Sequence, residues 1–287
     1  MKKYIPNKII EKYRYLRAMI LSIGLNKNKK FIQSDRELNA SADYSVIVAI
    51  HDAPQVTLRC LQSLAVYGGK AEVILINDGS KLPETISIIN EFIEAMNWRV
   101  IHHEKAQGHS QACRTGVLAS ERKYLCLLNS DTVLTPWSWC GTTDAFESEP
   151  RIAITGPTTS WAGTDQSLTR AEHCRMYWND SQICDFSEKY VSGIENKTWV
   201  DLPEISGFAF FMRRAIWDEF DGFNVNLPGY GNETELCKRI SKTDYRMVWT
   251  KNSYIHHFGR SSFSGVLTKD EIRKKRQAAK AYIDNMK

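Results

Sequence analysis

The chain has 287 residues, of which 43% are hydrophobic and 25% are charged, and its net charge is +5. This length supports one large domain with a complete core, and the composition excludes a disordered or collagen-like chain. Because the sequence has no apolar run of about 18 residues and no apolar leader with a cleavage site, we expect neither a spanning helix nor a signal peptide.

The first predicted element is an amphipathic helix at residues 4–25, where apolar side chains recur at steps of three and four. Residues 1–30 hold nine Lys or Arg and one acidic residue. A basic helix of this kind either packs on its own domain or lies on an anionic membrane surface, and the sequence leaves both open. The polar stretch that follows is expected to be a linker, so that residues 1–43 form an extension before the globular domain.

Strands and helices alternate from Tyr44 onward. Strands are expected at residues 45–50, 73–76, 99–101 and 125–128, and helices at residues 55–66, 84–96 and 108–120. This alternation predicts an α/β fold, Rossmann-like, with a mostly parallel central sheet flanked by helices.

The second half of the chain is less regular. Strands are expected at residues 152–155, 207–212 and 247–249, and helices at residues 214–220 and 234–243. Between them, residues 158–200 are expected to form a long and partly mobile insert. The globular domain is predicted to span residues 44–265, and residues 266–287 to hold a basic C-terminal helix.

The distribution of cysteines and of charged residues bears on where the protein is located and on what it binds. Seven cysteines are scattered without a Cys-x-x-Cys pair, which favours reduced core thiols in a cytoplasmic protein. Residues 269–280 hold six basic and two acidic residues. Since no base-stacking motif accompanies the basic ends, nucleic-acid binding is not expected. Three alternative roles stay open for the C-terminal helix: it pairs two subunits in a homodimer, packs within the chain or touches a membrane.

Three carboxylates follow predicted strands, at Asp52, Asp78 and Asp131. Ligands of open α/β sheets bind outside the carboxyl ends of the strands, so these side chains are expected at the mouth of one site. Three acids at one edge repel each other unless a cation or hydrogen-bond donors relieve the charge. A nucleotide with a divalent metal ion would do so.

Five segments, in order, carry a family resemblance: SVIVAIHDAPQVTLRCLQSL at 45–64, VILINDGS at 73–80, LLNSDT at 127–132, GYGNETELCKR at 229–239 and HHFGRSSF at 256–263. Together they make the chain resemble the inverting family 2 glycosyltransferases with the GT-A fold. The similarity covers about three quarters of the chain.

The resemblance implies a nucleotide site. Its residues would be His51, Asp52, Asp78, Arg114, Asn129 and Asp131, with Asp78 on the nucleotide base. Arg114 would touch either the diphosphate or only the helix surface. Asp131 and His257 would bind Mn²⁺ or Mg²⁺, with His256 as the alternative to His257. Asn129 stands where the family's metal motif has its first acid.

The same resemblance implies a base and an acceptor region. Glu233 occupies the position of the catalytic base, and Tyr230 and Asn232 would lie beside the acceptor. The family's usual Glu-Asp pair reads Asn232-Glu233 here. Glutamate has the required chemistry but is one methylene longer than aspartate, so the acceptor hydroxyl would have to sit slightly differently to stay within reach.

The implied activity is metal-dependent, inverting transfer of a hexosyl or deoxyhexosyl group from a nucleoside-diphosphate sugar. The donor is expected to be a UDP-sugar, with a dTDP-sugar next. The acceptor would be a glycan or a lipid-linked glycan of a surface polysaccharide such as O-antigen. The protein would then be cytoplasmic, or peripheral at the inner face of the membrane. The alternative is a catalytically degenerate GT-A module that binds a glycan or a partner.

Overall fold

The computed structural model describes residues 32–168, 179–194, 199–227, 229–259 and 268–286. The predicted amphipathic helix at residues 4–25 lies outside the described residues. Among the helices within these ranges, none has the length and apolar character needed to span a bilayer.

Two sets of elements make up the described domain. The strands are β1 Tyr44–Ile50, β2 Glu72–Asp78, β3 Arg99–His103, β4 Tyr124–Asn129, β5 Thr132–Leu134, β6 Ile152–Thr158, β7 Trp199–Asp201, β8 Ala209–Arg213 and β9 Arg246–His257. The helices are α1 Asp35–Ala40, α2 Pro54–Tyr67, α3 Pro83–Met96, α4 His109–Leu118, α5 Cys140–Ser148, α6 Asp180–Ser192, α7 Arg214–Glu219, α8 Asn232–Ile240 and α9 Lys269–Asp284.

The strands join in the order β3-β2-β1-β4-β8-β6-β9-β5, and β7 pairs with β9. The half formed by β3, β2, β1 and β4 is parallel. In the other half, β8 is antiparallel to both of its neighbours, whereas β6 and β9 run parallel. The predicted α/β architecture, a central sheet with flanking helices, is confirmed.

The sheet is covered on both faces, which explains the nearly continuous apolar character of its central strands. Successive side chains of a strand point to opposite faces. Val46 and Val48 therefore enter one core cluster, while Ile47 enters the other. The short β-branched run after Tyr44 is buried almost throughout, as expected for a strand in the middle of such a sheet.

The folded domain begins earlier than the sequence predicts. Residues expected to be a linker form α1 and a short 3₁₀ turn up to Asp43. Glu37 of α1 is 5% exposed, and its carboxylate accepts the backbone N–H of Trp139 and of Cys140 at the start of α5. Residues 35–43 are therefore not a linker but pack against the domain, because this carboxylate holds the start of a core helix.

The insert between β6 and β8 contains a packed helix where the sequence predicts irregular chain. Helix α6 starts at a capping box formed by Asn179 and Gln182. Its Ile183 is fully buried in a cluster with Val133 and Tyr254, and its first residue, Asp180, pairs with Arg59 of α2. Contacts with β5 and β9 thus hold α6 against the sheet. Residues 169–178 and 195–198 of the predicted insert lie outside the described residues.

The predicted C-terminal helix is present as α9, and a capping box between Thr268 and Glu271 sets its start. The last strand is much longer than predicted, since β9 extends to His257 instead of ending near residue 249. The six cysteines within the described residues are buried thiols.

Candidate active site

The carboxyl ends of β1, β2 and β4 lie at one edge of the sheet because these strands run parallel and in register. They deliver His51, Asp78 and Asn129 to a cavity of about 620 Å³. Loops and helices from the second half of the chain complete its wall, including the segment around Glu233. The expected convergence of polar groups at this edge is therefore present for most of the predicted site.

Asp78 anchors the loop that precedes α4. Its Oδ1 accepts the backbone N–H of Gln107 at 2.8 Å and lies 2.7 Å from Nδ1 of His103, and its Oδ2 accepts the N–H of Gly108 at 2.8 Å. Nδ1 of His51 donates to the Asp78 carbonyl at 2.7 Å. The carboxylate faces the cavity with acceptor capacity left, because each oxygen can accept more than one hydrogen bond.

Asp52 has a different position from the one expected. Its Oδ1 accepts the N–H groups of Lys81 and Leu82 at 2.9 and 2.8 Å. The residue is 9% exposed and is not among the residues that line the cavity as the described chain delimits it. Asp52 therefore fixes the turn after β2, and the sequence assigned it to the nucleotide because its position along β1 does not show which way the side chain turns.

Arg114 also points away from the cavity. Its guanidinium donates to the backbone carbonyls of Asp221 and Phe223, and it pairs with the Asp221 carboxylate at 2.8 Å. The side chain thus fastens α4 to the 221–223 turn. Of the two roles expected for Arg114, contact with the diphosphate does not fit this geometry, because the guanidinium donors are already used on another part of the chain.

Asp131 and His257 meet because β5 pairs with β9, with Thr132 opposite His257. Asp131 is 1% exposed, and its Oδ1 lies 3.3 Å from Nε2 of His257. Nδ1 of His257 donates to the carbonyl of Trp161 at 2.8 Å. Burial by itself would lower the pKa of His257, but the Asp131 carboxylate and the Trp161 carbonyl together outweigh it and the pKa is raised.

His256 is excluded as the alternative ligand by its direction. Its Nδ1 lies 3.2 Å from the hydroxyl of Tyr254, and the residue is not among those that line the cavity in the described chain. Adjacent residues of a strand face opposite sides of the sheet. Burial lowers the pKa of His256 far below its ordinary value, so this imidazole is a neutral core group.

The Asp131–His257 pair fits a divalent metal ion of the Mn²⁺ type, which accepts carboxylate oxygen and imidazole nitrogen. The Trp161 carbonyl holds the proton on Nδ1 and leaves Nε2 to act as the ligand atom. No group of three or more His, Cys, Asp or Glu suited to a metal occurs within the described residues. Metals that bind phosphates usually keep several coordination positions for water and for substrate oxygens.

Glu233 lies in the first turn of α8 and faces the cavity. Its carboxylate accepts its own backbone N–H and that of Gly207. Burial raises the pKa of Glu233, and the neighbouring Glu204 carboxylate raises it further. A Cβ placed on Gly207 would lie 3.0 Å from Cδ of Glu233, so the glycine leaves room for the carboxylate. A carboxylate with a raised pKa is a better proton acceptor near neutral pH.

Asn232 is linked to a residue that sequence reasoning missed. Its Nδ2 lies 3.1 Å from Nδ1 of His109, and the side chain of His109 also hydrogen-bonds to that of Asn129. Burial lowers the pKa of His109, so the imidazole is neutral and can accept from one amide while it donates to the other. His109 therefore bridges the end of β4 to the start of α8.

Other lining residues also escaped the sequence analysis. They are Glu204 and Gly207, which approach Glu233, and Lys275 and Arg276 of α9. Tyr230 lines the cavity as expected, and its ring lies 5.1 Å from the Arg276 guanidinium. A glycine before His109, at the start of a helix, was a usable signal for that residue. No local sequence pattern predicts that α9 approaches the cavity, because this contact depends on how segments distant in sequence pack.

Comparison with protein families finds that the model described as "Glycosyl transferase family 2" matches residues 45–220. A curated relative, "Uncharacterized protein Rv1525" of Mycobacterium tuberculosis, is 33% identical over 64 residues, which are 21% of this chain and 24% of the relative. The chain thus covers about a quarter of that relative's length.

Solved structures resemble the fold at low identity. GalNAc-T7 with UDP, GalNAc and Mn²⁺ aligns with a TM-score of 0.58 and 18% identity, over 75% of this chain and 42% of that one. The mannosyltransferase PcManGT from Pyrobaculum calidifontis, in complex with GDP-Man and Mn²⁺, aligns with a TM-score of 0.53 and 15% identity, over 86% of this chain and 64% of that one. S. aureus TarS aligns with a TM-score of 0.53 and 16% identity, over 77% of this chain and 38% of that one. These similarities support the GT-A fold.

Proposed function

The chain belongs to glycosyl transferase family 2, and on this basis we propose that it transfers a sugar from a nucleoside-diphosphate donor to an acceptor hydroxyl with inversion at the anomeric carbon. One observation carries the proposal: a single cavity holds both the Asp131–His257 pair and the carboxylate of Glu233, whose pKa is raised. The first feature fits a metal-bound diphosphate, and the second fits a general base.

In this reaction Glu233 removes the proton from the acceptor hydroxyl as the oxygen attacks the anomeric carbon. The oxygen's electron pair forms the new glycosidic bond. The bond from the anomeric carbon to the diphosphate oxygen breaks, and its electron pair leaves with the nucleoside diphosphate. Glu233 ends protonated and returns the proton to water. A general base in this role contributes on the order of 10²- to 10⁴-fold in rate.

The remaining residues bind and orient. Asp131 and His257 would hold a divalent cation, which when bound supplies charge stabilisation for the leaving diphosphate. Asp78 and His51 form the wall at the ends of β1 and β2, where the nucleotide base is proposed to lie. His109 keeps Asn129 and Asn232 in a fixed relation, so that the donor and acceptor sides of the cavity stay in register.

The proposal includes a substrate class. Among the structural relatives, GalNAc-T7 is complexed with UDP and Mn²⁺ and PcManGT with GDP-Man and Mn²⁺, which supports a nucleoside-diphosphate sugar and a divalent metal ion here. We propose a UDP-sugar first and a dTDP-sugar second, with a hexosyl or deoxyhexosyl group transferred to a glycan or lipid-linked acceptor of a surface polysaccharide. A cytoplasmic location, peripheral contact with the inner face of a membrane and a homodimer remain predictions.

Calorimetric titration with UDP, dTDP, GDP and CMP, each with and without Mn²⁺, tests the donor site. We expect one nucleoside diphosphate to bind in a metal-dependent manner, and Asp131→Ala to abolish that dependence. Absence of binding to all four nucleotides would contradict the active transferase and favour a degenerate module. The degenerate module is the second candidate function. It is supported by the Asn232-Glu233 sequence, in which an amide replaces the usual acid.

A further inference from the structure

Helix α9 packs within its own chain, against the segment that leads into Glu233. Ala279 is 6% exposed. A Cβ placed on Gly231 would lie 3.1 Å from Cβ of Ala279 and 2.9 Å from Cδ1 of Ile283, so α9 fits closely over this glycine. At the other end of α8, the ammonium group of Lys238 donates to the carbonyl of Ile283. The helix is therefore attached to the element that carries the proposed base.

The basic residues of α9 are not explained by packing. Among the side chains of this helix that the structure describes, that of Ala279 is buried, and those of the Lys and Arg residues lie in exposed positions. One of them, Arg273, pairs with Asp270 on the helix itself. Lys275 and Arg276 instead line the cavity. Within the described residues, neither of their charged groups forms an ion pair with an acidic side chain.

The other charged side chains that line the cavity are mostly acidic, which sets Lys275 and Arg276 apart. Four carboxylates line the cavity, those of Asp78, Asp131, Glu204 and Glu233. Of the described lining residues, Lys275 and Arg276 are the ones with a permanent positive charge. A divalent cation at Asp131 would offset charge at one end only. An anionic substrate group near Glu233 would be repelled unless fixed cations stand close to it.

Arg276 is also oriented by an aromatic ring. Its guanidinium lies 5.1 Å from the centroid of the Tyr230 ring, a distance typical of a cation–π contact. A guanidinium that stacks on a ring through its face keeps its N–H donors available for other partners. Arginine donors can bind a phosphate group in a bidentate manner, and a neighbouring lysine adds a mobile point charge. The two side chains thus form a suitable pair for a phosphate oxygen.

We propose that Lys275 and Arg276 form a phosphate-binding subsite that holds a substrate phosphate group on the Glu233 side of the cavity. The inference rests on the proposed function, and it assigns the C-terminal helix to the active site instead of to a subunit contact. The phosphate belongs either to the donor diphosphate or to a phosphorylated acceptor such as a lipid-linked one. Both sources share the same chemistry and can be separated by experiment.

The test compares the double variant Lys275→Ala/Arg276→Ala with a matched control, Lys274→Ala/Lys280→Ala, which removes two exposed cations of α9 that do not line the cavity. In the first titration, the nucleoside diphosphate that binds the wild type is added with Mn²⁺, and the parent nucleoside serves as a reference. In the second, geranyl phosphate is added to protein saturated with nucleotide and Mn²⁺. Thermal midpoints of both variants should match the wild type, because the changed side chains are exposed.

A donor phosphate is indicated if the double variant binds the nucleoside diphosphate at least tenfold more weakly while its affinity for the nucleoside is unchanged. An acceptor phosphate is indicated if only geranyl phosphate binds at least tenfold more weakly. The inference is overturned if both affinities equal those of the control variant. If the wild type binds no nucleotide, the proposed function fails, and the subsite is judged on geranyl phosphate binding to the nucleotide-free protein.

Discussion

Nε2 of His257 lies 3.3 Å from Oδ1 of Asp131 although the two residues are far apart in the chain. The antiparallel pairing of β5 with β9 brings them together, and the Trp161 carbonyl fixes the proton on the opposite nitrogen of the imidazole. The ligand atom is therefore directed toward the carboxylate before any metal ion binds. This preorganisation is the structural basis of the proposed metal dependence.

The first prediction concerns this pair. We expect His257→Ala to weaken Mn²⁺-dependent nucleotide binding by at least tenfold, because a proposed metal ligand is lost, and to leave the metal-independent part of the binding unchanged. Calorimetry with and without Mn²⁺ measures both parts. His256→Gln is the matched control, since it changes the adjacent histidine on the opposite face of β9. Equal losses in the two variants would show a folding defect instead of a lost ligand.

The second prediction concerns the base. We expect Glu233→Gln to lower the turnover number by about 10²- to 10⁴-fold while nucleotide affinity stays within about twofold, because the amide keeps the shape of the side chain but cannot take a proton. Steady-state kinetics and nucleotide titration are measured on the same preparation. Loss of nucleotide binding in this variant would instead assign Glu233 a structural role.

The third prediction concerns pH. Burial and the Glu204 carboxylate raise the pKa of Glu233, so turnover should fall as pH drops through a value above that of an ordinary glutamate. Glu204→Gln removes one negative charge and keeps an acceptor for the Thr234 hydroxyl. Ionisation of Glu233 then costs less, and the acidic limb of the pH–turnover profile should move to lower pH. An unmoved limb would mean that another group limits the rate.

The fourth prediction concerns stability. Burial raises the pKa of Glu37 from 4.5 to about 7. Between these two values the folded state holds a proton that the unfolded state releases, so the free energy of unfolding should decrease as pH rises from about 4.5 to about 7. The upper limit of this decrease is on the order of 3 kcal/mol.

Glu37→Gln isolates that contribution, because its amide oxygen can still accept the N–H groups of Trp139 and Cys140 but carries no titrating proton. Denaturant unfolding of both proteins at several pH values gives the difference. The variant should gain stability relative to the wild type as pH rises from about 4.5 to about 7, and the difference should level off above that. A constant difference across this range would contradict a raised pKa of Glu37.

Local patterns were enough to predict the parallel half of the sheet. The apolar runs at β1, β2 and β4 are short, rich in β-branched residues and followed by polar turns, which is the pattern of buried parallel strands. Their ends predicted Asp52, Asp78 and Asp131 at one edge, and the family resemblance added His51 and Asn129. The structure places all of these except Asp52 on the cavity.

The same patterns failed where a side chain's direction depends on its surroundings. Asp52 follows β1 and Asp78 ends β2, yet only Asp78 of the two lines the cavity, because two backbone N–H groups of the turn after β2 donate to the Asp52 carboxylate. Contact with the diphosphate was one of two roles expected for Arg114, but its guanidinium donates to Asp221, more than a hundred positions away. Neither partner can be recognised from the residues beside them in sequence.

The amino-acid sequence by itself determined the α/β alternation, the family and the chemical types of the principal site residues, because these follow from periodic burial and short motifs within a few residues of each other. Only the tertiary structure decided which of those side chains share a cavity. It selected His257 over His256 through strand alternation, enclosed Glu233 beside Glu204 and Gly207, linked Asn232 to His109, and brought Lys275 and Arg276 of α9 to the same space. Packing of segments distant in sequence creates these contacts, and burial there raises the pKa of Glu233 and lowers that of His109.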